Sequence, residues 1–438
     1  MSTRRLVSAT TANLVVPLSG LLVGPVLSRE LGPEGRGFYA ALTLPVVVYG
    51  WLGTYGLQDA LTFHLRHRRL SGRDAARVAL LATVPLGLLG VLLLAVLGLV
   101  ALAREPGEHR QFLVLALLAP LHILANLLVG ALTGVADVGG VNLLKVVPAV
   151  IRTVLLVGAC LAFDLSAFVA GLLFLVSAAG GTAVGLRRLR RAPAGEVPSG
   201  PLPLRSLTRY AAVCLPGVLA AVATARLDQV IGLPLLGARE LGFYAVAVSV
   251  AELPMVVATA ARTVLMGRAD GDDPAAALRV ARLALPLTLA ACVVLAAVAA
   301  PLLPLVFGEA FAPAVLPTVV LCAATVLYTG VQILGAVLLA NGRAGRSSAA
   351  LVAGALTGVV ALVALAPLGA VGAAVASLLG YAVAVLPAAR SVVGLPGVPS
   401  LRAVTVPYAD DLRFLRARLR QRGRRSGPAP VDTGSGAR

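Results

Sequence analysis

Long, nearly unbroken apolar runs alternate along this chain with short breaks rich in arginine, proline or glycine. The runs cover about 6–28, 38–60, 77–102, 111–135, 143–163 and 165–187, then about 209–236, 243–266, 278–307, 315–340, 347–366 and 369–389. A bilayer-spanning helix needs roughly 20 mostly apolar residues, whereas a barrel strand needs roughly 10 with strict alternation. The runs have the first length and lack the alternation, so the pattern predicts helices. The expected fold is an all-α integral membrane protein of about 12 transmembrane helices.

The breaks fall into two classes. Those on the side of the N-terminus carry Arg66, Arg68, Arg69, Arg73 and Arg77, then Arg187, Arg188, Arg190 and Arg191, and the tail past Arg390 adds more. The others, at 29–37, 103–110, around Asp164, 238–242, 308–314 and 367–368, are short and hold few cations. Positive charge concentrates on the cytoplasmic side of membrane proteins, so both termini are expected in the cytoplasm, and an even helix count agrees. The start, Met-Ser-Thr-Arg-Arg followed by a long apolar run, reads as a retained first helix because no small-x-small cleavage site precedes the run's end.

The longest internal linker, 188–208, is basic and then rich in Pro and Gly, and it parts six spans from six. The expected organisation is a first lobe over 1–190, a linker over 191–208, a second lobe over 209–390 and a basic tail over 391–438. In that tail Leu412, Leu415 and Leu419 share a helical stripe flanked by arginines. The stripe suits a basic amphipathic helix on an anionic inner leaflet, or else a solvated charged helix. Residues 422–438 have a disordered composition.

Composition sharpens this picture. The 438 residues are 59% hydrophobic and 13% charged, with 37 Lys and Arg against 19 Asp and Glu. A soluble domain would leave much of that apolar material facing water. The net charge of +18 lies mostly in short loops, which makes it a topology signal and not a nucleic-acid surface. Arginine over lysine in an Ala/Leu/Val/Gly-rich chain fits a GC-rich bacterial coding sequence, hence an inner (plasma) membrane. Lys145 is the sole lysine and follows Leu144, so no Gly-Lys-Ser/Thr phosphate loop exists and an ATP-driven exporter is excluded on this chain. The four cysteines all sit inside apolar runs without metal spacing, and no cofactor is implied. The outer loops are too short for the catalytic domain of a glycan polymerase or ligase, so the chain is not read as an enzyme.

The chain repeats itself. Leu31-Gly-Pro-Glu-Gly-Arg-Gly-Phe-Tyr-Ala40 aligns with Leu236-Gly-Ala-Arg-Glu-Leu-Gly-Phe-Tyr-Ala245, six of ten positions identical at an offset of 205. The same offset lays Gly130-Ala131 and Gly140 over Gly335-Ala336 and Gly345. An even number of helices per copy makes the repeat parallel, with a pseudo-two-fold axis along the membrane normal. Such two-lobed transporters bind substrate between the lobes near mid-membrane and expose it alternately.

A first helix followed by Leu-Gly-x-x-Gly-x-Gly-x-Tyr resembles the polysaccharide flippases of the multidrug/oligosaccharidyl-lipid/polysaccharide exporter superfamily. Asp228-x-x-x-Gly232, Leu236-Gly237 and Gly242-x-Tyr244 are similar to the same family's seventh-to-eighth helix stretch. The resemblance covers about residues 1–390. It implies outward translocation of polyprenyl-pyrophosphate-linked oligosaccharides for cell-surface polysaccharide synthesis, with membrane lipids and a polymerase or glycosyltransferases as candidate partners. The first helix lacks the arginines expected of the lipid II flippase branch, which favours another surface glycan. The motif glycines are expected in turns and close helix contacts, with one turn glycine lost where Glu240 replaces Gly35. A cation-coupled multidrug exporter of the same superfamily is the alternative, but the only acidic groups in the first lobe's helices, Asp59 and Asp164, sit at helix ends.

Intramembrane charges mark candidate sites. Arg152 lies mid-span and Lys145 seven residues earlier on the same face, a possible cationic track for a pyrophosphate. Glu252 lies at similar depth in the other lobe, placed to pair with Arg152 or to carry a coupling proton. Arg226 and Asp228, two residues apart, face different sides of the seventh helix, and Leu21 and Val23 replace them in the first copy. His122 with Asn126, and Tyr328 with Gln332, are polar pairs one turn apart that would line the cavity or bond to neighbouring helices. Arg262 reads as a snorkelling side chain, and Asp270-Gly-Asp-Asp-Pro274 as a helix start in preference to a metal motif.

Overall fold

The computed structural model describes residues 3–67, 70–102, 106–192, 202–256, 274–341 and 343–393, with 400, 402–406, 408, 410, 411 and 413. Arg262, Asp270–Asp273, most of the Pro/Gly linker, Leu412, Leu415, Leu419 and 422–438 lie outside the described residues. Among those described, the chain is helical and contains no strand.

Helix α1 (Thr3–Leu52) is 50 residues long, about 75 Å at 1.5 Å per residue, far more than one bilayer needs. It breaks at Gly32, whose φ of 64° suits a residue without Cβ, and so makes two crossings. A turn at Tyr55 and Gly56 then bends the second crossing by 41° into α2 (Leu57–Arg66). The third is α3 (Gly72–Ala101), whose N-cap Ser71 accepts from the Asp74 amide at 3.1 Å. The first lobe finishes with α4 (Pro106–Ala116) and α5 (Ala119–Gly134), α6 (Val138–Ala162), and α7 (Ala167–Val176) with α8 (Ala178–Arg191).

The second lobe contains α9 (Leu204–Val230) with α10 (Gly232–Leu236), α11 (Ala238–Ala251), α12 (Pro274–Phe307) and α13 (Val315–Ala340). Helices α14 (Ala344–Leu365) and α15 (Gly369–Val392) complete it, and a short α16 (Arg402–Thr405) lies in the tail. Length and hydropathy alone find 8 membrane-crossing helices, or 9 with the bent pair. Among the described residues eleven full crossings can be traced, because Gly345–Val392 counts as one stretch yet turns back at Gly369 and α1 holds two, and α11 starts one more. The eighth begins in α11 and runs towards residues outside the description.

The lipid-facing surface is legible on α3. Leu81, Leu88, Leu92, Val96 and Leu99, all more than half exposed, recur at helical spacing along one side. In water this would be an anomalous apolar patch; against acyl chains it is the expected exterior. Several hydroxyls inside the spans bond back to their own helices, as Thr83 does to the Ala79 carbonyl (2.7 Å) and Thr318 to that of Ala314 (2.7 Å).

The repeat motif forms the join between lobes. Helices α1 and α11 cross at Gly37 and Gly242, the same position in the two copies. A Cβ on Gly37 would land on the carbonyl oxygen of Ala238, and one on Gly242 on that of Pro33. Since 33 and 238 are also equivalent positions, the contact maps onto itself under the pseudo-two-fold. Gly32 and Gly237, with φ of 64° and 80°, make the preceding turns. Gly35 is helical without positive φ, so the expected loss of a turn glycine at Glu240 is corrected. The Glu240 carboxylate instead accepts from the Ala370 amide at 2.9 Å, capping α15. Arg29 closes the same end by donating to the carbonyls of Leu305 and Val306 at the terminus of α12.

The lobes also meet at the other end, where the N-terminus lies. Phe63 on α2 stacks on Tyr210 of α9 (centroids 4.4 Å, 17°), and His64 Nε2 lies 2.9 Å from Ser206 Oγ. In the tail, Asp411 accepts two bonds from Arg282 of α12 (2.7 and 3.0 Å), and the Arg282 guanidinium lies 4.7 Å over the Tyr408 ring. That clasp ties the segment after the last crossing to the second lobe.

A side chain at the Gly37–Gly242 crossing should hold this end of the two lobes apart. In a background lacking the four native cysteines, Gly242→Leu is expected to raise labelling of Leu27→Cys at least 10-fold. The reagent is a membrane-impermeant maleimide added on the face opposite the N-terminus. Gly20→Ala, which meets nothing within 4 Å, should leave that rate unchanged. Equal labelling in the two variants would refute the glycine contact as the closure.

Candidate functional site

Two cavities lie along the seam between the lobes, and the repeat relates them. The first, of about 350 Å³, is lined in the first lobe by Gly20, Leu21, Val23, Gly24 and Tyr39. The second, of about 140 Å³, is lined by Ala225, Arg226, Asp228, Gln229 and Tyr244, each 205 residues later. One scaffold is therefore used twice with different chemistry. Glu252 borders both.

The first cavity is cationic. Arg152 on α6 donates to Ser19 Oγ at 3.0 Å, and its guanidinium lies 5.2 Å over the Phe174 ring. Ser19 is held in turn by the Ala149 carbonyl and Thr153. Arg36, from the repeat motif, lies 4.9 Å over Tyr39, and Tyr39 meets Phe174 edge-on at 6.0 Å. Two guanidiniums thus converge on one aromatic pair. Among the described residues neither forms a salt bridge, and the buried Arg36 Nε has no hydrogen-bond partner. Unpaired cations in a low-dielectric site are costly, and an anion entering the cavity would relieve that cost. Planar guanidiniums match phosphate oxygens in geometry.

The second cavity is neutralised from within. Arg226 donates to both oxygens of Glu252, at 2.7 and 3.0 Å, a bidentate pair inside the second lobe. The expected Glu252–Arg152 pair is not formed. Arg226 and Glu252 lie 11 residues before and 15 after Gly237, where the chain reverses, so antiparallel helices bring them to similar depth. Asp228 accepts from the Tyr244 hydroxyl, from Ser377 Oγ (3.3 Å) and from the Gln229 amide (2.9 Å). Tyr381 donates to the Thr224 carbonyl at 3.3 Å. Arg226 and Asp228 are not partners, as their spacing requires.

The other anticipated residues lie elsewhere. Lys145 is exposed near the start of α6 and lines neither cavity. Asn126 donates to the carbonyls of Gly50 (3.1 Å) and His122 (2.9 Å) and so joins α5 to α1, whereas the His122 side chain lines neither of the two cavities and, among the described residues, its buried Nε2 has no hydrogen-bond partner. Gln332 donates to the Tyr328 hydroxyl at 2.8 Å; Tyr328 lines the second cavity and Gln332 stands one turn behind it. Arg36, Gln229 and Trp51 escaped the reading of single residues. Laying the first copy's cavity wall over the second would have exposed Gln229 opposite Gly24.

With this geometry established, the chain can be set against known proteins. Residues 2–266 match the model of a family described as polysaccharide biosynthesis proteins, well over half of the chain. The chain belongs to that family. No curated protein sequence matches it significantly. The lipid II flippase MurJ, in an inward-closed conformation, superposes with a TM-score of 0.69 at 12% identity, over 96% of this chain and 93% of MurJ. An inward-facing multidrug resistance MATE family transporter of the MOP superfamily gives 0.66 at 17% identity, over 96% and 100%. An outward-facing member of that family gives 0.56 at 16% identity, over 96% and 97%. These likenesses show that the fold, all-α with two helical lobes, is shared with those transporters.

The Arg226–Glu252 pair should behave as a structural unit. Breaking it leaves one charge uncompensated, which costs about 3–5 kcal/mol in a dry core. Here the side chains are 24% and 33% exposed to the cavity, so about 1–3 kcal/mol is expected. Glu252→Gln should lower the apparent unfolding temperature in detergent, whereas Arg226→Met combined with Glu252→Met should restore most of it. An additive double variant would show that the pair carries no coupling.

Proposed function

We propose that this protein is a flippase that carries a polyprenyl-diphosphate-linked saccharide across the bacterial inner membrane by alternating access. The observation that carries the reading is the 350 Å³ cavity with two guanidiniums, neither of them salt-bridged to a carboxylate among the described residues. A diphosphate between Arg36 and Arg152 would supply the missing counter-charge, while the polyprenyl chain stays in lipid. The family match and the likeness to a lipid II flippase support a lipid-linked cargo. Arginine-rich breaks on the N-terminal side support cytoplasmic termini, so cargo would load from inside. A cationic drug would meet repulsion in the same cavity, which disfavours a multidrug exporter.

Glu252 touches both cavities, so its commitment to Arg226 leaves the first cavity positive. The site therefore keeps its attraction for an anion without a competing internal ligand. Lobe rocking would carry the diphosphate past the aromatic pair while the Gly37–Gly242 contact opens.

Leaflet-resolved measurement of undecaprenyl-diphosphate-linked sugars tests the reading in cells that depend on this protein. Arg152→Ala and Arg36→Ala are each expected to cut outward transfer at least 10-fold at unchanged protein levels. Lys145→Ala, outside the cavities, should have less than a two-fold effect. Full transfer in the Arg36→Ala, Arg152→Ala double variant would refute the site.

A further inference from the structure

The second cavity has a chemistry of its own that the diphosphate does not use. Its walls are aromatic: Tyr328 and Tyr381 lie face to face at a tilt, with centroids 4.8 Å apart and 39° between planes, and Trp51 reaches in from the first lobe. Its charges are already spent. Glu252 is held bidentately by Arg226, and Asp228 by the Tyr244 and Ser377 hydroxyls and a backbone amide. One strong donor is left over. The Gln229 side chain is 4% exposed and lines the cavity, yet its Nε2 has no hydrogen-bond partner. A buried amide donor without an acceptor costs about 1–3 kcal/mol, and its placement on a cavity wall points to a ligand that brings the acceptor.

We infer that this cavity is a carbohydrate subsite that holds the first sugar of the cargo while the diphosphate occupies the neighbouring cavity. The inference rests on the flippase reading above. A pyranose has apolar C–H faces that pack on aromatic rings and a rim of hydroxyls that accept as well as donate. Gln229 would donate to one of those oxygens. An organic cation also favours aromatic walls, but it offers no acceptor to Gln229 and finds both carboxylates already bonded. The repeat explains the division of labour: where the first copy has Leu21, Val23 and Gly24, the second has Arg226, Asp228 and Gln229, which shape a polar, hydrogen-bonding wall. Glu252, on both cavities, marks where the bond between phosphate and sugar would pass.

Trp51 is the only tryptophan of the chain, so its emission reports on this cavity directly. The purified full-length protein would be titrated with undecaprenyl diphosphate, and with the same lipid bearing one glucose, galactose or N-acetylglucosamine. At least one glycosylated lipid is expected to bind 10-fold or more tightly than the bare lipid and to shift Trp51 emission, which the bare lipid leaves unmoved. Gln229→Leu and Tyr328→Ala should lose that increment while retaining affinity for the bare lipid, which shows that they are folded. Tyr328→Phe, which keeps the ring, should keep the increment. Equal affinity for bare and glycosylated lipids in the unmodified protein would overturn the subsite and leave the diphosphate reading standing. Failure of the bare lipid to bind would instead overturn the diphosphate reading. Saturable quenching of Trp51 by tetraphenylphosphonium, with no response to any glycosylated lipid, would assign the cavity to cations and overturn the sugar.

Discussion

Where α1 meets α11 two backbones touch with no side chain between them, at Gly37 and Gly242, and the rest of the assembly is arranged around that crossing. In a bilayer there is no hydrophobic force to press helices together, so association depends on how closely their backbones approach. Glycine at both positions permits an approach that even alanine would block. Because each glycine abuts the carbonyl that the repeat assigns to its counterpart, the contact is self-complementary in the manner of an isologous dimer interface. It closes one end of the seam and leaves the space behind it for the cavities.

The electrostatics follow from that space. Away from the seam, among the described residues, hydroxyls and amides are mostly satisfied locally by turn-wise bonds to their own helix or by a neighbour, as Asn126 is by Gly50. Along the seam, charge is retained, and the two cavities treat it differently. In the second cavity Glu252 and Asp228 both have their donors, so the field there is largely cancelled at close range. In the first, Arg36 and Arg152 rest against aromatic faces, each such contact worth about 0.5–2 kcal/mol. That is enough to orient a guanidinium and too little to replace a counter-ion.

Much of the architecture was written in the chain because lipid imposes it. Crossing length, the apolar faces and the arginine-rich breaks are each dictated by the bilayer, so the twelve runs, the repeat and the six-plus-six division could be read directly. Side-chain partners were less accessible, since a run such as 243–266 is apolar on every face and does not reveal which side meets a neighbour. Glu252 illustrates this: depth placed it level with Arg152, but rotation about α11 and the hairpin at Gly237 gave it to Arg226. Arg36 was hidden by its place in a motif read as a turn, although it stands on helix α1 beyond the kink. Gln229 was an uncharged residue in a helix where the flanking Arg226 and Asp228 drew attention first.

The repeat also accounts for why the site is asymmetric in a symmetric frame. Two identical lobes would present equivalent walls to the seam and could not distinguish the two ends of an amphipathic cargo. Tyr39 and Tyr244 occupy equivalent positions in the two walls, each deep in its own lobe. Around them the copies have diverged, one gathering free cations from α1 and α6, the other a closed hydrogen-bond network from α9, α11 and α15. A molecule with a charged junction and an uncharged polar head fits that gradient in one direction only. On the proposed reading the seam would supply both the moving joint and the polarity of what it carries, with the glycine crossing holding the two walls close enough for one ligand to touch both.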